Sequence, residues 1–253
     1  MHFLKNHPFA VSAHFEHSLV LTYAVPKAML EPLLPECLTV DTFDGQWAFL
    51  AIAVVKTRHL RPKGFPQWMG NDFILAGYRI FVRYTNRQGK RLRGLYILKS
   101  ETDQQKMAFI GNIFTHYNYT LTDIEFRMEG SMLQVYSQKS GLDIAVDITE
   151  GAVDLPPQSP FRDWKEARRF AGPLPFTFTY NSKKKEVLII EGVRENWTPQ
   201  PVNVWKSAVQ FVQQPAFEGA VLANAFIIHD IPYYWKKGKI ETWKTPEEQL
   251  LKA

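Results

Sequence analysis

The feature that most constrains this chain is a recurrence of short β-branched and aromatic segments separated by turn formers. Residues 19–25, 47–55, 73–84, 92–98, 187–193 and 220–228 all read this way. Such side chains suit a pleated, half-buried surface better than a helix. Residues 124–129 alternate strictly, as a strand with one wet face must, and Gly130-Ser131 turns them back into 132–138 as a hairpin. Phe43-Asp44-Gly45-Gln46 marks a second tight turn, because Asp-Gly tolerates the positive φ of a type I′ turn. About ten strands at such spacing, with few helices between them, predict a mainly β fold. An antiparallel, barrel-like sheet or a sandwich fits that pattern, and a βαβ sheet does not.

Three helices are expected. Pro26 suits a first helical position, and residues 27–31 make a short turn that Pro32 stops. Thr102-Asp103-Gln104-Gln105 has the form of a capping box, after which Met107, Ile110, Ile113 and Phe114 recur on one face. Ser159 precedes Pro160 and a polar helix that runs to Phe170 and closes at Gly172.

The length of 253 residues suits a single domain over 1–253, with an N-terminal arm (1–13) and a tail (245–253) less ordered than the rest. One cysteine excludes an internal disulfide and fits a reducing, cytoplasmic setting. The first residues lack a signal-peptide pattern, and the longest apolar run, 48–55, is too short to cross a bilayer. The net charge of +5 gathers in expected turns, around Gly89, at Lys183-Lys184-Lys185 and around Gly238. Such runs read as solvated edges that blunt strand pairing, and no zinc spacing, helix-turn-helix or aromatic RNA-binding signature accompanies them. Nucleic acid is therefore not the expected partner.

The chain has no glycine-rich phosphate loop, nucleophile elbow or His-Glu-x-x-His, so neither metal nor cofactor is expected. Cys37 reads as a small core thiol. His14 and His17 flank Glu16, but a strand spacing of three sends the two rings to opposite faces, and they read as surface or hydrogen-bonded side chains. Lysines are more suggestive. Strand period two places Lys99 on the face of Leu95 and Ile97, and helical spacing places Lys106 beside Ile110 and Ile113. A desolvated amine gives up its proton more readily and can then attack a carbonyl. The simpler reading has Lys106 reaching solvent and pairing with Asp103. Arg79 and Arg83 share a strand face with Phe81; pointing inward, Arg79 offers a fixed fork for a carboxylate. Periodicity leaves the choice of face open, since both faces carry aromatics.

Two stretches carry a resemblance. They are the run from Tyr23-Ala24-Val25-Pro26-Lys27 through Leu33-Leu34-Pro35, and Leu38-Thr39-Val40-Asp41-Thr42-Phe43-Asp44-Gly45. Tyr78-Arg79-Ile80-Phe81-Val82-Arg83 and the strand–helix unit over 95–114 extend it, with weaker echoes at Glu195-Asn196-Trp197-Thr198 and His229-Asp230-Ile231-Pro232. In these the chain resembles the acetoacetate decarboxylase-like superfamily, in particular a bacterial branch known as a domain of unknown function. The resemblance implies a barrel-like antiparallel fold around an interior pocket. It also implies a comparison with the Schiff-base Lys-Lys pair of the true decarboxylases, which falls on Gln105-Lys106, so the nucleophile position reads Gln105. The glutamate positions fall on Leu50 and Leu75, and the arginine near Glu16. Without its acids and charge pair, a Schiff-base mechanism lacks the means to tune the amine.

The leading expectation is a small-molecule pocket protein for an apolar or carboxylate-bearing ligand, self-association left open. The alternative is a decarboxylase-like lyase or hydrolase in which Lys106, or Lys99, acts on a carbonyl with Glu101 carrying the proton, and Lys99, Arg79 and Gln105 contact the substrate. A basic nucleic-acid-binding module comes third.

Overall fold

The β-branched segments pair edge to edge and close on themselves. The computed structural model describes residues 4–171 and 174–244, so the expected tail and the Gly172 helix stop lie outside the described residues. The first strands are β1 (Val11–Pro26), β2 (Thr39–Val40), β3 (Trp47–Pro62), β4 (Asn71–Thr85) and β5 (Arg91–Thr102). After them come β6 (Tyr119–Leu121), β7 (Glu125–Glu129), β8 (Met132–Ser137), β9 (Leu142–Asp147) and β10 (Phe176–Asn181). The last are β11 (Glu186–Arg194), β12 (Gln200–Pro201), β13 (Asn203–Val209), β14 (Val221–Trp235) and β15 (Lys239–Thr242).

Seven strands run in the order β14–β1–β3–β4–β5–β10–β11, and β11 then pairs with β14 through Gly192–Trp235, Val193–Tyr234 and Arg194–Tyr233. That last pairing makes a closed ring. Pairing within it is antiparallel except between β5 and β10, and β6 also joins β5 in parallel. A separate antiparallel sheet, β13–β9–β8–β7, covers one side. The resulting mainly β architecture matches the expected class.

Three ring strands are longer than the sequence suggested. β1 starts at Val11 and takes in His14, Glu16 and His17, β3 continues to Pro62, and β14 to Trp235. Register shifts between Phe15 and His17 in β1, between Thr57 and Leu60 in β3, and between Tyr78 and Arg79 where β4 pairs β5 let the ring strands bend. A bulge adds one unpaired residue and raises the local twist, which is how a long strand curls around a ring.

The long ring strands β1, β3, β4 and β14 have two buried faces. Leu19, Leu21, Ile52 and Ile80 face outward and pack with Leu133, Val135 and Ile144 of the covering sheet. Val20, Ala51, Ala53 and Phe81 face inward. The alanines among them leave open space in the ring. Helix α1 (Lys27–Leu30) follows Pro26 as expected, and a 3₁₀ turn containing Pro32 ends it. Helix α2 (Gln105–Phe114) follows β5, and α3 (Trp164–Ala171) sits at the other end of that strand, where Phe170 packs 4.5 Å from Phe49 and 5.3 Å from Phe161 between ring centroids.

Both longer helices begin differently from expectation. Thr102 is still paired within β5, and the Asp103 carboxylate accepts the Ile74 amide at 2.7 Å. The capping box therefore does not form, and Gln104 is the N-cap with no side-chain bond. In α3, Asp163 accepts the Glu166 amide at 2.7 Å, so the cap is Asp163 and not Ser159. The turn at Asp44-Gly45 does take positive φ at both residues, 49° and 68°, though three residues separate the bridged Phe43 and Trp47. Among the described residues no helix is long and apolar enough to cross a membrane.

Candidate ligand-binding site

The inner face of β4 carries Leu75, Gly77, Arg79 and Phe81 into the ring. On β5 the bulge decides what joins them. Arg79 pairs with Ile97 while Tyr78 pairs with Lys99, so Leu98 is the extra residue. Leu95, Ile97 and Ser100 then face inward, and Lys99 and Glu101 turn to the outer face. The expected placement of Lys99 on the face of Ile97 is thus corrected: a regular period of two does not survive an inserted residue.

Inside lies a cavity of about 120 Å³. Arg79 is partly buried and lines this cavity. Its Nε is buried without a hydrogen-bond partner, and no carboxylate lies within 4.0 Å of it among the described residues. Arg194, at the end of β11, lines the same cavity. Its Nη1 donates to the Tyr233 hydroxyl at 3.0 Å, its guanidinium lies 4.4 Å from the Trp197 ring centroid, and its Nη2 is buried and unpartnered. Burial pushes both guanidinium pKa values down, and Arg79 adds repulsion at Arg194; only neighbouring tyrosines act the other way. Guanidinium remains protonated in proteins, so the cavity holds two cations. Among the described residues, no aspartate, glutamate or lysine lines it. Tyr117 and Tyr119 complete one wall, with burial pushing the Tyr119 phenol up to about 12, so both present neutral hydroxyls.

Two glycines make room for this arrangement. A Cβ at Gly77 would stand 2.8 Å from Nε and Nη2 of Arg79, so the guanidinium folds back over bare backbone. A Cβ at Gly192 would stand 1.9 Å from the Tyr233 oxygen. Substitution at either position forces a polar head out of its place.

Of the candidate site residues, only Arg79 lines the cavity; Lys99, Glu101, Gln105 and Lys106 do not. Glu101 is buried on the outer face, where it accepts from the Tyr78 hydroxyl at 2.7 Å and pairs with Lys99 at 2.6 Å. That carboxylate, together with burial, pushes the Tyr78 phenol pKa upward. Lys99 lies 5.4 Å from the Tyr78 ring centroid. Gln105 and Lys106 are exposed at the start of α2, and no carboxylate lies within 4.0 Å of Lys106 among the described residues. Leu50 is wholly buried in the outer core, Leu75 lines the cavity, and Glu16 bonds Lys56 and Arg58. Cys37 is a buried thiol whose pKa burial raises to about 12. His14 bonds Asp230 and His17 bonds His229.

Arg194, Tyr233, Tyr117 and Tyr119 escaped the sequence reading. The stretches beginning at Glu195 and His229 adjoin two of them, but an arginine at a strand end carries no mark of which way it points.

A family model described as an uncharacterized conserved protein, DUF2071, matches residues 12–226. The chain belongs to the DUF2071 family. No curated protein matches it by sequence. This DUF2071 chain is similar in fold to acetoacetate decarboxylase from Legionella pneumophila, with a TM-score of 0.61 at 11% identity over 92% of this chain and 88% of that one. An acetoacetate decarboxylase-like enzyme from Sphingomonas wittichii gives 0.56 at 12% identity over 95% and 94%. The enduracididine biosynthesis enzyme MppR, complexed with the condensation product of pyruvate and imidazole 4-carboxaldehyde, gives 0.55 at 10% identity over 94% and 90%. At such identities the likeness shows the acetoacetate decarboxylase-like fold, and no activity follows from it.

Proposed function

We propose that this DUF2071 protein binds a small carboxylate inside the ring, with Arg79 and Arg194 as its anion-binding pair. The observation that carries the reading is the pair itself: two partly buried guanidiniums with orphaned N–H groups line one cavity, and among the described residues no acid lines it. An uncompensated buried charge is costly, and a bidentate carboxylate is the partner whose geometry suits the guanidinium fork. Two proteins of similar fold support the choice of ligand. One is named for acetoacetate and the other was solved with a product of pyruvate, and both of those acids carry a carboxylate. The single buried cysteine agrees with a cytosolic setting.

Lys99 and Lys106 are absent from the cavity wall, so the role assigned to the site is recognition of the acid rather than condensation with a carbonyl. Calorimetric titration at low salt with acetate, benzoate, acetoacetate and pyruvate tests the reading. Saturable binding by the native protein, weakened at least about tenfold in Arg79→Met, is expected from loss of a charge-assisted bond. Equal binding by both proteins sinks it. Borohydride added with acetoacetate should leave the intact mass unchanged; a trapped lysine adduct would favour the lyase instead.

A further inference from the structure

A second cavity adjoins the first. It holds about 330 Å³ and lies between the N-terminal arm, the far ends of β3 and β4, and the inner face of α2. Phe9, Phe73, Met107, Ile110 and Phe114 dominate its wall, Arg61 and His7 also line it, and among the described residues no acid or lysine does. The arm is held in place there: the His7 amide donates to the Phe114 carbonyl at 3.2 Å, and the His7 carbonyl accepts from the Gly238 amide at 2.9 Å. Phe15, Leu75, Tyr117, Tyr119 and Trp235 line both cavities, so a single layer of side chains stands between the arginine pair and this apolar chamber.

Apolar cavities of roughly 150 Å³ stay dry and accept a guest the size of benzene. The larger chamber here is lined mainly by apolar side chains, with His7, Thr57, Arg61 and Asn71 among them, and it adjoins a cationic head site across shared walls. From this juxtaposition we infer that the ligand is a monocarboxylic acid with an apolar tail, its carboxylate on Arg79 and Arg194 and its tail passing the Tyr117–Tyr119 layer into the chamber under α2. This rests on the anion-binding reading above and adds the class of acid. Each tail methylene that enters the chamber leaves water, which strengthens binding by about fourfold when fully buried.

A chain-length series separates this inference from the reading beneath it. Affinities of acetate, butyrate, hexanoate, octanoate and the uncharged octanol are measured by calorimetry on the native protein, Arg79→Met and the chamber-filling Ile110→Trp. Affinity should climb twofold to fourfold per methylene from butyrate to octanoate. Ile110→Trp should flatten that climb while leaving acetate binding unchanged, and Arg79→Met should weaken every acid but not octanol. If the short acids bind through Arg79 and affinity is flat with length in the native protein, the tail chamber is refuted and the anion site stands. If no acid depends on Arg79, the anion site itself is refuted. Octanoate affinity that equals octanol affinity overturns the coupling of head and tail. The native series decides the matter even if Ile110→Trp does not fold.

Discussion

Arg79 and Arg83 stand four residues apart on one strand and meet different surroundings. Arg83 and Arg93 clamp the wholly buried Asp41, at 2.6 Å and 2.5 Å, and both reach solvent at their far sides. Arg79 and Arg194 share a cavity that no acid lines among the described residues. Near the ring's rim, charge is matched within the chain and holds the β2–β4–β5 edge together. In its interior, charge is left unmatched, with glycine at position 77 clearing space for it. A protein that can neutralise one arginine pair with a single aspartate does not leave another bare for lack of means. Satisfied charges here serve the fold, and the unsatisfied pair is what the proposed anion site rests on.

Removing the acid at the rim should have the largest effect on stability. Asp41→Asn is expected to cost about 2–3 kcal/mol in urea unfolding, less than a fully buried pair because both arginines can turn to water. A cost below about 0.5 kcal/mol would erase the contrast with the interior. Glu101→Gln comes next. It keeps an acceptor for the Tyr78 hydroxyl but loses the bond to the half-exposed Lys99, so about 1 kcal/mol is expected, with ligand affinity unchanged. A change in affinity would return Glu101 to the binding site.

The histidine pair gives a smaller, pH-dependent effect. Burial holds both His17 and His229 below the ordinary imidazole value, with the facing ring adding to it at His17. On acidification the unfolded chain takes up protons first, so stability present above about pH 6.5 is lost as pH falls toward the lowered folded values. The Tm should therefore drift down between about pH 7 and pH 5, and His229→Gln should flatten that drift. A Tm that rises on acidification would contradict the sign. Smallest of all, Lys106→Ala should change stability and affinity by no more than about 0.5 kcal/mol, as for an exposed side chain outside the site.

Much of the ring could be read from the sequence, because its strands are β-branched runs bounded by strong turn signals such as Asp44-Gly45 and the turn around Gly89. Their true length could not. His14 to His17 look like a polar end, yet they continue β1 because the bulges there let a long strand bend. The inserted residue at Leu98 is likewise invisible to a period of two, and it sends Lys99 and Glu101 to the outer face while Arg79 stays inside. The resemblance implied an interior pocket and drew attention to the start of α2, whose exposed Gln105 and Lys106 lie apart from the cavity. Arg194 comes from the closing β11–β14 pairing, a contact between distant segments that no local pattern encodes.

The central claim, that Arg79 is a buried charge awaiting an anion, is tested most directly by melting the native protein and Arg79→Met with and without saturating carboxylate. Without ligand, Arg79→Met should melt higher by about 2–4 °C, because replacing an unpaired buried cation with an apolar side chain of similar length relieves roughly 1 kcal/mol. Saturating carboxylate should raise the native protein above the variant and leave the variant where it was. A variant that melts lower without ligand, or that gains as much from carboxylate as the native protein does, would contradict the account.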